Sequence, residues 1–155
     1  MRKIISLFQR NYETDRLVYN EIVPGAEWVL NGEGVATRKY DGICCMIQGG
    51  NLFRRYEAKK EPPSDFIPAQ EIEAITGHWV GWRPCHRNES NDKYHWEAFD
   101  FLKVKEDGTY ELLGPKIQGN PEYLERHILL KHSNAQTLLD CPRDFDRIKA
   151  WLSDQ

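Results

Sequence analysis

The stretch from Ile43 to Tyr56 constrains the fold of this 155-residue chain more than any other. Ile43–Ile47 and Leu52–Tyr56 read as two short strands, and the Gly49-Gly50-Asn51 between them has room only for a tight turn. Strands joined so closely must run antiparallel, because parallel neighbours need a crossover of a dozen residues or more. Asn31-Gly32 is a similar turn signal, between a strand beginning at Trp28–Leu30 and another over Val35–Tyr40. Gly77 to Trp82 holds too many glycines and aromatics for a helix. Residues 94–104 alternate, with Tyr94, Trp96, Ala98 and Asp100 on one side and His95, Glu97, Phe99 and Phe101 on the other. That period of two predicts a strand, turned by Asp107-Gly108 into a partner strand over Thr109–Leu113. Asn120 followed by Pro121 predicts a helix start running to about Lys131. A second helix is expected over 144–152, burying Phe145, Ile148 and Trp151 or Leu152. The fold class is therefore α+β, an antiparallel sheet with C-terminal helices.

Composition narrows the setting. Residues 1–25 read as a polar lead-in ending at Pro24-Gly25, and 26–155 as one domain. The net charge of −3 excludes a generally basic nucleic-acid binder. The first 60 residues nevertheless carry ten Lys/Arg against seven Asp/Glu, so the basic excess sits in that half. Four cysteines without a Cys-x-x-Cys pair, and no apolar run of signal or membrane length, suggest a reduced cytoplasmic protein. Adjacent Cys44 and Cys45 would point to opposite faces of a strand, which argues against a shared zinc site. His78, His86, His95, His127 and His132 show no metal-ligand spacing.

The candidate chemistry begins at Lys39 in Lys39-Tyr40-Asp41-Gly42, placed in the turn before the strand at Ile43. A lysine nucleophile must shed a proton from a group with a free pKa of about 10.4. Nearby cations and partial burial assist that loss. Arg38, Arg54 and Arg55 are candidates to do so while gripping phosphate, for which the guanidinium fork is suited. On a strand Arg54 and Arg55 face opposite ways, so one of them, with Arg55 preferred, would face a pocket. Asp41 could position the lysine or a ribose, or contribute to a metal site. Gly42 would permit a tight turn and close approach of a nucleotide. Glu97 offers a carboxylate for a ribose hydroxyl, and Phe99 beside it a ring to stack on a base.

Lys39-Tyr40-Asp41-Gly42 resembles the first motif of the superfamily of DNA ligases, RNA ligases and capping enzymes. His95-Trp96-Glu97-Ala98-Phe99 is placed like its third. The stretches Leu52–Lys60, Pro62-Pro63, Phe66–Glu71, Thr76–Trp82 and Gly108–Lys116 are similar to the ATP-dependent RNA ligases found in vertebrates and some microbes and viruses. The resemblance covers about residues 25–150. It implies a partial nucleotidyltransferase (ATP-grasp-like) adenylation domain that uses ATP and Mg²⁺ or Mn²⁺. It also implies a lysyl-AMP intermediate on Lys39 and RNA 5′-phosphate and 3′-hydroxyl ends as substrates. Arg55 matches the family's arginine in the strand after the first motif.

Two departures qualify the expectation. Related ligases often carry an acid where this chain has Arg38. The Glu-Gly of the family's fourth motif and the Lys-x-Lys of its fifth do not occur after the 144–152 helix in this sequence. Those groups neutralise charge during phosphoryl transfer. Alternatives are therefore a non-catalytic nucleotide- or RNA-binding remnant, or one piece of a split ligase completed by a second chain or by self-association.

Overall fold

The computed structural model describes residues 1–154. In chain order its elements are strands β1 (Phe8–Arg10) and β2 (Val18–Ile22), the single helical turn α1 (Glu27–Leu30), and strands β3 (Ile43–Gln48), β4 (Asn51–Ala58), β5 (Ile67–Pro68) and β6 (Trp79–Pro84). Helix α2 (Lys93–Phe101), strands β7 (Gly108–Leu113) and β8 (Ile128–Lys131), and helix α3 (Phe145–Ser153) follow. The fold is mixed α+β with antiparallel sheets. Two compact units form: Met1–Lys3 with Lys39–Ala135, and Ile4–Arg38 with the stretch from Gln136. This division does not follow the 25/26 boundary suggested by composition. The stretch read as a lead-in contains β1 and β2, which pair as a hairpin.

The first unit is a six-stranded sheet of order β5-β6-β4-β3-β7-β8. β3 pairs on one side with β4, Cys45 opposite Arg54, and on the other with β7, Cys44 opposite Glu111. Directly opposed residues share a face, and successive residues alternate. Cys45, Arg54, Tyr110 and Leu112 therefore point one way, and Cys44, Arg55 and Glu111 the other. α2 covers the first of these faces. Its Ala98 and Phe99 join Cys45, Ile47, Leu52, Tyr110, Leu112 and Leu129 in the core.

Three sequence expectations are corrected here. Residues 94–104 do not form a strand; α2 occupies most of that stretch. Its buried residues His95, Ala98 and Phe99 fall at helical spacing, and this periodicity overrides the alternation of aromatics. β7 accordingly pairs with β3 and β8, not with residues 94–104. The helix expected from Pro121 to Lys131 is also absent, and its last residues form β8. Gln118, Asn120 and Tyr123 all have positive φ, which no right-handed helix accommodates. Asn120 uses its side chain to close a loop instead: Oδ1 accepts from the Leu124 N–H at 2.9 Å, and Nδ2 donates to the Leu124 carbonyl at 3.0 Å.

In the second unit α3 begins where expected, with Asp144 as N-cap accepting from the Arg147 N–H at 3.0 Å. Phe145 meets Phe8 edge-on at 5.1 Å between ring centroids. Arg143 donates to the carbonyls of Val29, Glu33 and Gly34, tying the α1 region to the segment before α3. Trp28–Leu30 is helical, not the start of a strand. The expected strand over 35–40 is reduced to one bridge, Thr37 to Thr137. Among the described residues no helix is long and apolar enough to cross a membrane.

Leu112 on β7 is fully buried in the core beneath α2. Leu112→Ala is expected to lower the unfolding free energy by about 2–5 kcal/mol, measured by urea denaturation.

Candidate functional site

Lys39 and Asp41 are exposed on the segment that leads into β3. What fixes this segment is Gly42. A Cβ at this position would overlap the Leu112 carbonyl oxygen and come within 2.8 Å of Leu113 Cδ2 and 2.9 Å of Glu111 Cγ. The glycine is required because the chain passes directly against β7, a reason independent of any nucleotide. At the same place the Gly42 N–H donates to Glu111 Oε1 at 3.1 Å. The turn carrying Lys39 is thereby pinned to a carboxylate that the sequence reading passed over.

Glu111 anchors a small network on the sheet face that α2 leaves uncovered. Its Oε2 lies 2.9 Å from His132 Nε2, and His132 Nδ1 lies 2.9 Å from Thr109 Oγ1. Cys44 stands opposite Glu111, and burial pushes its thiol up to about 11, against the opposing pull of Arg55. Arg55 lies over the Trp82 ring, 4.6 Å from its centroid, and donates from Nη1 to the Met1 carbonyl at 2.8 Å. Burial lowers the pKa of its guanidinium. Thr109 Oγ1 is 3.7 Å from Met1 Sδ, so the first residue lies across this same face. Arg55, Cys44, Glu111, Thr109 and His132 thus converge on one side of the sheet, beside the segment of Lys39.

The other sequence-predicted residues lie elsewhere. Arg54 points to the face covered by α2 and pairs with buried Asp92, Nε to Oδ1 3.0 Å. Phe99 is buried in the core against Trp96, centroids 5.2 Å apart, and has no free face for a base. Glu97 sits on α2, on the far side of the sheet from Glu111. It holds His127, with Oε1 2.9 Å from Nδ1. The Lys116 N–H donates to His127 Nε2 at 3.2 Å, so Nδ1 carries the proton given to Glu97. This bond is the main cause that keeps Glu97 below its ordinary carboxylate value. Strand alternation placed Glu97 and Phe99 together on one face, whereas a helix separates them. The signal available for Glu111 was its position on β7, a strand that was legible, within the stretch Gly108–Lys116.

Two variants separate these roles. Gly42→Ala is expected to cost about 1–3 kcal/mol of stability, since the backbone it meets cannot yield, read by urea or thermal unfolding. Glu97→Ala is expected to cost about 1 kcal/mol at neutral pH by orphaning a buried imidazole N–H. A carboxyl whose pKa is lowered by folding contributes stability above its unfolded value of 4.5, and the contribution disappears as pH falls through the folded value. The deficit of Glu97→Ala should therefore shrink in acid, as measured by denaturation across pH 3 to 7.

The chain matches no protein-family model, and a search of curated proteins returns no significant relative.

Proposed function

We propose that this chain is a ligase-type nucleotidyltransferase module in which Lys39 accepts AMP from ATP, in the manner of ATP-dependent RNA ligases. The observation that carries this reading is the hydrogen bond from Gly42 to Glu111, which ties the Lys-x-Asp-Gly turn to a carboxylate on the same open face as Arg55. A covalent adenylyl acceptor needs such an arrangement: a nucleophile on a fixed turn, an acid for the ribose, and a cation for phosphate.

In the proposed step Lys39 Nζ, as the free amine, attacks the α-phosphorus of ATP. A P–N bond forms, the bond from the α-phosphorus to the β-bridging oxygen breaks, and pyrophosphate leaves. The amine proton passes to solvent. Arg55 exchanges the Met1 carbonyl for phosphate oxygens, a stronger charge-assisted partner. Glu111 accepts from a ribose hydroxyl while His132 keeps its carboxylate aligned. Mg²⁺ or Mn²⁺, when bound, would supply charge neutralisation, and exposed Asp41 is the carboxylate we assign to help hold it. The AMP would then pass to an RNA 5′-phosphate and be displaced by a 3′-hydroxyl. The cytoplasm, where ATP and RNA ends meet, is the proposed setting.

Incubation with α-labelled ATP and Mg²⁺ or Mn²⁺ tests this reading. The wild type should retain label through denaturing electrophoresis. Lys39→Ala and Glu111→Ala should lose it, Arg55→Ala should lose most of it, and Glu97→Ala should keep it. Wild-type labelling no greater than that of Lys39→Ala would refute autonomous adenylylation and favour a non-catalytic binding module. Label restored only by a second polypeptide would favour a split enzyme.

A further inference from the structure

Two clusters in the first unit bring together metal-ligating side chains: Cys44, Glu111 and His132 on the open face, and Cys85, Asp92 and His95 in the core. Hydrogen bonding distinguishes them. In the open cluster both Glu111 oxygens and both His132 nitrogens have partners, so the network is complete as a set of hydrogen bonds. The core cluster is not complete. Neither ring nitrogen of His95 has a hydrogen-bond partner of normal geometry, although the ring is buried and lies near the Asn91 backbone. Asp92 Oδ1 and Arg54 Nε are 3.0 Å apart as an ion pair but are not aligned as a hydrogen bond. Of the five buried side-chain polar atoms without a hydrogen bond among the described residues, three belong to this cluster and a fourth, Arg54 Nε, is the ion-pair partner of Asp92. An orphaned buried polar group in a native fold calls for an unseen partner such as an ion or water.

We propose that Cys85, Asp92 and His95 form a buried Zn²⁺ site in this chain. The three residues reach it from two elements. Cys85 follows β6, and its N–H donates to the Leu52 carbonyl of β4 at 2.9 Å. Asp92 and His95 are three residues apart at the start of α2, which puts them on one side of the helix. One candidate donor atom from each residue lies within 4.8 Å of the others. Zinc bonds of about 2.0–2.3 Å place the ligands of a tetrahedral ion roughly 3.3–3.7 Å apart, close to the separation of these donor atoms. Thiolate, imidazole and carboxylate are all ordinary zinc ligands, and the fourth position is left to a water molecule.

The charges balance sensibly. On binding, the Cys85 thiol releases its proton to solvent as the Zn–S bond forms, and His95 binds as the neutral imidazole. Thiolate and carboxylate then neutralise the ion. Asp92 Oδ2 keeps the His86 N–H at 2.8 Å as an outer support. Arg54, whose side chain is 21% exposed, retains solvent for its own charge. Burial pushes the free Cys85 thiol up, so the metal-free site holds a neutral thiol and no buried thiolate. Bound zinc would fasten the end of β6 to the start of α2, on the sheet face opposite Glu111.

Anaerobic titration of the full chain with CoCl₂ reads the site directly, independently of ATP chemistry. A thiolate-to-cobalt band in the near ultraviolet is expected to saturate at one equivalent and to be displaced by ZnCl₂. Cys44→Ser should leave the band and Cys85→Ser should remove it. His95→Gln should weaken binding by about tenfold or more. Because Cys85 lies in the core, a second measurement uses the wild type alone. Added zinc should slow alkylation of Cys85, mapped by peptide mass spectrometry, relative to chelator-treated protein, and leave Cys141 unchanged. Absence of the thiolate band, its persistence in folded Cys85→Ser, or Cys85 alkylation indifferent to zinc would overturn the proposal.

Discussion

The passage of the chain at Gly42 against β7 is the constraint on which the first unit's candidate site depends. β3 is central in the sheet, paired on both sides, so its entry point cannot shift without moving β4 and β7 as well. A side chain at Gly42 would collide with the Leu112 backbone, and the Gly42 N–H would otherwise lose its hydrogen bond to Glu111. Packing and polar satisfaction therefore fix the same turn. The position of Gly42 against Glu111 follows from packing on β7, without any ligand to hold it.

The two faces of the sheet divide the labour. One is closed by α2 and carries the apolar core around Cys45, Ile47, Tyr110 and Leu112. The other carries Thr109, Glu111 and His132 joined by hydrogen bonds, and Arg55 over the ring of buried Trp82. Arg54 and Arg55, adjacent in sequence, illustrate the division. The first is committed to Asp92 beneath the helix. The second donates to the Met1 carbonyl and lies over the Trp82 ring on the opposite face.

Much of this was legible in the sequence. The strands around Gly49-Gly50-Asn51 were, because the turn leaves no other connection, and so was α3, because Phe145, Ile148 and Trp151 or Leu152 recur at spacings of three and four. The opposite facing of Arg54 and Arg55 followed from strand alternation alone. The helix α2 was not legible as such, since Tyr94, Trp96, Phe99 and Phe101 are good strand formers and also alternate. Tertiary burial of His95, Ala98 and Phe99 decides for the helix. Asn120-Pro121 was read as a cap, but Asn120 tolerates a left-handed backbone and spends its side chain on a loop. The first of these differences separates Glu97 from Phe99. Once 94–104 is taken as a strand, Glu97 acquires an aromatic face, and Glu111, on the correctly read β7, is overlooked.

The most direct measurement is the backbone amide spectrum of the isotope-labelled chain as ATP is added without metal. Binding on the open face should shift Gly42, Cys44, Arg55 and Glu111 while leaving Lys93–Phe101 of α2 in place. Shifts centred on Glu97 and α2, with Gly42 and Glu111 unmoved, would contradict the assignment of the site.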